Sequence, residues 1–155
     1  MISVDKRIPV NPAGTPSHLV LDRDAVWQGL VKKAEFAPPF VKAITECRII
    51  ERDATGFIRE AVINGETVRE HITFQPKVAV VFDRLPGASA MGQIKNIIDE
   101  VDGDLFLRFT FDLAVQDSTP EKDSQLAVAM ERDYMAAVKT TLDRIRADRS
   151  ETNAA

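Results

Sequence analysis

The sequence predicts an α+β domain, an antiparallel meander of strands followed by a long C-terminal helix. Three observations predict it. From Arg48 to Val115 the apolar residues recur with the period of two that marks strands with one face on a core. The runs are joined by short turns, among them Asn64-Gly65 and Asp102-Gly103, dipeptides suited to two-residue hairpins; connections this short join antiparallel strands, not crossover units. From Ser118 to about Arg149 the period becomes that of an amphipathic helix.

In chain order, Ile2 to Val10 reads as a strand, ended by Pro9 and the turn-rich Asn11-Pro12-Ala13-Gly14. A helix follows, with Asp22 or Asp24 as its N-cap and Val26, Trp27, Leu30, Val31 and Ala34 at helical spacing. Pro38-Pro39 stops it, and Phe40, Val41, Ile44 and Cys47 predict a second, shorter helix. Six strands are expected next: Arg48 to Arg52, Phe57 to Ile63, Thr67 to Gln75, Val78 to Asp83, Met91 to Val101 and Asp104 to Val115. In the last, Leu105, Leu107, Phe109, Phe111 and Leu113 share one face. The C-terminal helix opens with the capping-box spacing Ser118-Thr119-Pro120-Glu121. Its inward stripe is Leu126, Met130, Tyr134, Ala137, Val138, Thr141, Leu142 and Ile145. The expected organisation is one domain over residues 1–149 and a polar, disordered tail over 150–155.

Composition narrows the function classes. A chain of 155 residues is long enough for one real core. A net charge of −4 and no basic stripe argue against nucleic acid as a partner. One cysteine, Cys47, suits a reducing compartment, and the N-terminus has no apolar signal-peptide core, so the cytoplasm is the expected location. No apolar run reaches the roughly 20 residues of a membrane span, so no membrane insertion is expected. His18 and His71 are the only histidines and lie far apart, so no metal is expected; no phosphate-binding glycine loop or nucleophile elbow is present, and no cofactor is implied.

Particular residues narrow this further. Trp27-Gln28-Gly29-Leu30 with Lys33-Ala34 lies in the first helix, Pro39-Phe40-Val41 follows it, and Arg59-Glu60 and Arg69-Glu70 fall in successive strands. Ile94 and Ile97 bracket Asn96 ahead of Leu105-Phe106-Leu107-Arg108-Phe109-Thr110-Phe111. In this order the chain resembles the AtaL-like branch of the START and birch-pollen-allergen-like (SRPBCC) superfamily, from about Ile2 to about Arg146. The resemblance implies a helix-grip fold, a curved sheet of about seven strands wrapped around the C-terminal helix with a cavity between them. It implies a class whose members bind lipids, sterols or plant hormones, or cyclise and aromatise polyketides. It carries over no catalytic set.

Several residues are worth weighing for that cavity. Glu70 shares the Val68, Ile72, Phe74 face; a carboxylate there is either a desolvated acid or base, or half of an ion pair with Arg59 or Arg69. Glu60 shares the Ile58, Val62 face with the same ambiguity, and Arg59 takes the opposite face. Asn96, with Ile94 and Ile98, either orients a ligand oxygen or satisfies backbone. Trp27, Phe40, Phe74, Phe82, Phe109, Phe111, Met130 and Tyr134 are the expected lining, though such residues also serve as plain core. Cys47 reads as a buried inert thiol and His71 as a solvated outward histidine. The leading expectation is a binding protein, monomer or homodimer, for a small hydrophobic or aromatic molecule. An alternative is a cyclase or aromatase in which Glu70 takes a proton α to a ketone while Asn96 or Tyr134 donates to the enolate. A third is a protein-interaction module with a closed core, hinted at by an exposed Phe106.

Overall fold

A computed structural model describes the chain over residues 1–154, with side chains through residue 148. Seven strands form one curved antiparallel sheet: β1 (Ile2–Pro9), β2 (Ile44–Arg52), β3 (Gly56–Ile63), β4 (Glu66–Gln75), β5 (Ala79–Arg84), β6 (Ala90–Val101) and β7 (Asp104–Val115). The order across the sheet is β1-β7-β6-β5-β4-β3-β2, so β2 to β7 run as a meander and β1 closes on β7. Helix α1 (Arg23–Glu35) and the long α2 (Pro120–Ala154) cover the concave face. This is the helix-grip architecture.

Local chemistry sets the boundaries. At Asn64-Gly65 (φ 49° and 82°) and Asp102-Gly103 (φ 53° and 84°), both turn residues are left-handed, as a two-residue hairpin requires. Asp22 is the N-cap of α1, its carboxylate accepting from the Ala25 amide at 2.8 Å. Thr119, rather than Ser118, caps α2, accepting from the Lys122 amide at 3.2 Å, while the Ser118 hydroxyl donates to Asp123 at 2.6 Å.

The second short helix expected after Pro39 does not form. Residues 37–41 make one turn, in which Phe40 and Val41 both donate to the Ala37 carbonyl, and β2 begins at Ile44 opposite Ile63 of β3. Strand pairing offers this β-branched segment a full ladder, which outweighs its weak helical spacing. The main core joins Val26 and Leu30 of α1, Leu107, Phe109, Phe111 and Leu113 of β7, and Val138, Leu142 and Ile145 of α2. The two helices meet where Gly29 lies against Ile145; a Cβ at Gly29 would stand 2.2 Å from Ile145 Cδ1. Toward its start α2 is less covered: Leu126, expected on the inward stripe, is 38% exposed and Val128 70%. The tail at 150–155, expected to be disordered, lies outside the residues described with side chains.

Candidate functional site

Across β3, β4 and β5 the register sets Arg59 opposite Glu70 and Glu70 opposite Arg84. Directly opposed residues share a face, and here it is the concave one. The three side chains form a charged row through an apolar floor. On one side lie Phe57, Ile72 and Phe82 of the main core, and on the other a smaller cluster of Ile44, Ala61, Val68 and Ala88. Arg59 and Glu70 are 3% and 1% exposed. Arg59 donates twice to Glu70 Oε1, from Nε at 3.1 Å and Nη2 at 2.9 Å, and from Nη1 to the Ala34 carbonyl at 3.0 Å. That last bond satisfies a carbonyl in the final turn of α1. Arg84 Nη1 donates to the Ala90 carbonyl at 3.3 Å, but its Nε lies 3.6 Å from Glu70 Oε2, beyond a hydrogen bond.

Lys33 of α1 reaches the same face. It follows Val26 and Leu30 on the buried side of the helix, is 6% exposed, and donates from Nζ to Asn96 Oδ1 at 2.6 Å. Burial pulls the Lys33 ammonium down to about 7; the like charge of Arg59 adds to this and Glu70 opposes it. The Phe82 ring serves two cations, with Lys33 Nζ at 5.7 Å and Arg59 Cζ at 5.2 Å from its centroid. Asn96 is buried with its Nδ2 unpartnered, and Arg84 Nε is the other buried side-chain donor without a partner among the described residues.

Aromatic side chains flank this polar centre. Under α2, Tyr134 stacks edge-on against Phe111 at 4.2 Å and lies 5.8 Å from Phe109. Burial, and then the negative charge of Glu70, push the Tyr134 phenol up to about 12. Under α1, Trp27 meets Phe74 at 5.8 Å and Phe74 meets Phe57 at 5.6 Å, both edge-on. Met130 is half-buried against the main core.

Other expected positions move. Glu60 does not face the sheet's concave side: the inward residues of β3 are Phe57, Arg59 and Ala61, and Glu60 pairs on the convex side with Arg48 at 3.0 Å and Arg69 at 3.2 Å. Phe40 is buried but lines a groove of about 330 Å³ on the outer side of the helices, with Phe36, Pro39, Lys32 and Arg144. A neighbouring groove of about 300 Å³ lies between α1 and α2 over Ala25, Gly29 and Ile145. Phe106 faces outward but is half-covered, with the Arg7 guanidinium 4.6 Å above its ring. His71 points outward and bonds Asp53 at 2.8 Å. Cys47 is half-buried within β2, not at a helix junction. Lys33 and Arg84 are the site residues that the sequence reading missed. Helical spacing from Val26 and Leu30, and alternation from Val80 and Phe82, place them inward.

Chemically, the centre offers hydrogen-bond donors and positive charge. Lys33, Arg59 and Arg84 face Glu70, whose Oε1 is held by two hydrogen bonds from Arg59. That geometry makes Glu70 half of a structural ion pair, one of the two readings open from sequence. The base-like group is Lys33, whose amine titrates near neutrality.

Comparison with solved structures gives the same fold at low identity. A START superfamily protein from Mycobacterium smegmatis superposes with a TM-score of 0.71 at 14% identity, over 92% of this chain and 96% of that one. The ZhuI aromatase/cyclase from Streptomyces sp. R1128 gives 0.65 at 17%, over 92% of each chain. Ara h 8.0201 gives 0.59 at 12%, over 92% of this chain and 96% of that one. No curated protein matches the chain. No helix among the described residues is long and apolar enough to cross a membrane. Residues 7–151 match the family model described as acetylaranotin biosynthesis cluster protein L, and the chain belongs to that family, AtaL.

Proposed function

We propose that this protein binds a small hydrophobic or aromatic molecule between the concave face of the sheet and the N-terminal half of α2. One observation carries the reading: a buried polar centre of Lys33, Arg59, Glu70 and Asn96, with the largely covered Arg84 beside it, interrupts a floor that is otherwise apolar and aromatic. A core built only for stability gains little from such a centre, because desolvating charges costs more than packing apolar groups of the same size. A binding site needs it, because a few polar groups among aromatic walls fix a ligand's orientation. Native mass spectrometry of the freshly purified chain should show a co-purified small molecule, and thermal shifts with sterols, fatty acids, flavonoids and aromatic polyketides should name its class. No bound mass and no shift across that panel would retire the reading.

A second reading is a cyclase or aromatase, and the near-neutral Lys33 amine favours it. In that case Lys33, rather than Glu70, takes the proton α to a ketone, and the Asn96 amide donates to the developing enolate. Ligands found in the binding screen decide it: turnover that Lys33→Met abolishes and Glu70→Gln spares supports the enzyme.

A further inference from the structure

The polar centre is unbalanced. Arg59 and Arg84 bring two guanidinium groups and Lys33 an amine to the concave face, and among the described residues Glu70 is the one carboxylate that meets them. Its Oε1 is taken twice by Arg59, and its Oε2 stands 3.6 Å from Arg84 Nε, too far to accept. Arg84 therefore keeps a buried N–H without a partner.

Asn96 repeats the pattern. As an ammonium Lys33 has only donors to offer, and its 2.6 Å contact then sets the amide with Oδ1 toward it and both Nδ2 hydrogens away. Those hydrogens find no acceptor among the described residues, although Asn96 is 3% exposed. An unpaired buried donor is costly, because it has given up its water and gained no acceptor in return. Water could satisfy each N–H, but it could not offset the surplus charge. An anion does both.

The spacing is informative as well. Asn96 sits opposite Val80, and Arg84 lies four residues further along β5 with Phe82 between them. Four residues of strand span about 13 Å of backbone. A molecule with an oxygen at each end would meet both orphan donors.

We propose that the molecule held here is an organic anion, a hydrophobic or aromatic body whose carboxylate or acidic enol oxygen binds at Arg84 and whose second oxygen accepts from the Asn96 amide. The proposal rests on the binding reading above and names the charge of its ligand.

Two dyes with similar rings test it in the full chain. Anilinonaphthalene sulfonate carries a fixed negative charge, and phenylnaphthylamine carries none. Fluorescence titration should show the sulfonate binding about tenfold or more tightly than the neutral dye. Arg84→Gln should erase most of that preference, the sulfonate losing several-fold more affinity than the neutral dye. Asn96→Asp provides an independent variant should Arg84→Gln fail to fold. It places a carboxylate beside Lys33, and it too should cost the sulfonate far more affinity than the neutral dye. Near-UV circular dichroism confirms that each variant is folded. Equal or tighter binding of the neutral dye by the wild type overturns the anion and leaves the binding reading standing. A sulfonate preference that survives in both folded variants overturns the assignment to Arg84 and Asn96. Binding of neither dye overturns the binding reading itself, and this proposal with it.

Discussion

The two faces of β3 and β4 carry the same ion pair in opposite settings. Arg59 stands across from Glu70 on the concave face, and one residue along, Glu60 stands across from Arg69 on the convex face. Both pairs are Arg–Glu, and both are joined by the same ladder. The concave side chains are 4% and 2% exposed and meet at 2.9 Å; the convex ones are 56% and 22% exposed and meet at 3.2 Å. Arg59 gives Glu70 two hydrogen bonds and Arg69 gives Glu60 one, but the larger difference is solvent. On the convex face water already solvates both charges, and the pair adds little. On the concave face desolvation has been incurred for each charge, and neither can lose its partner cheaply. The same two residue types thus form a surface contact on one side and a commitment of the fold on the other.

Breaking the concave pair should give the largest effect. Arg59→Leu leaves Glu70 buried without its bidentate partner and frees the Ala34 carbonyl. Urea melts should show a loss of about 3–5 kcal/mol. Adding Glu70→Leu should recover little, because it takes away the carboxylate that faces Arg84. Adding Arg84→Met as well should recover most of it, since a fully apolar row no longer holds an unpaired charge. Full recovery already in the double variant would show that Arg84 is indifferent to Glu70.

Lys33 sharpens the comparison through pH. Its folded-state value is depressed from 10.5 to about 7, so above about 7 the unfolded chain holds a proton that the folded chain has released. Stability from this group therefore rises with pH between about 7 and 10.5, is lost as pH falls back across that window, and changes no further below about 7. Lys33→Met keeps much of the side-chain volume and removes the charge. The difference in urea midpoint between wild type and Lys33→Met should favour the variant at pH 6 and shrink steadily toward pH 10, across the window set by the shift from 10.5 to about 7. A difference that does not change with pH would mean that Lys33 is neutral or solvated throughout.

Much of this site could be read from the chain, and what could not has physical reasons. The meander was legible because Asn64-Gly65 and Asp102-Gly103 fix two hairpins, and β7 was legible because its apolar residues alternate without competition. Glu70 was placed inward by Val68, Ile72 and Phe74. In β3 the same logic failed, since Phe57, Ala61 and Ile63 support one phase and Ile58 and Val62 the other. Only pairing with β4 chooses between them, and pairing is not local information. The absent second helix failed for the same reason, with Ile44 drawn into a ladder with Ile63. Lys33 and Arg84 were passed over because charged side chains point outward by default. Their positions, in step with Val26 and Leu30 and with Val80 and Phe82, say otherwise.

The convex pair should give the smallest effect and serves as the control. Hydrogen bonds from Arg48, and then from Arg69, hold the Glu60 carboxyl below its usual value. A carboxyl lowered in the folded state adds stability above its unfolded value and loses it as pH falls through the folded one. Glu60→Gln should therefore change the urea midpoint slightly at neutral pH and not at all once the carboxylates are protonated. Salt at about 1 M, where screening acts within about 3 Å, should erase even the neutral-pH difference. The deficit of Arg59→Leu should persist in the same salt, because ions do not reach a buried pair. Should Glu60→Gln prove as costly and as salt-resistant as Arg59→Leu, burial would not be what separates the two faces, and the concave row would lose its claim to be special.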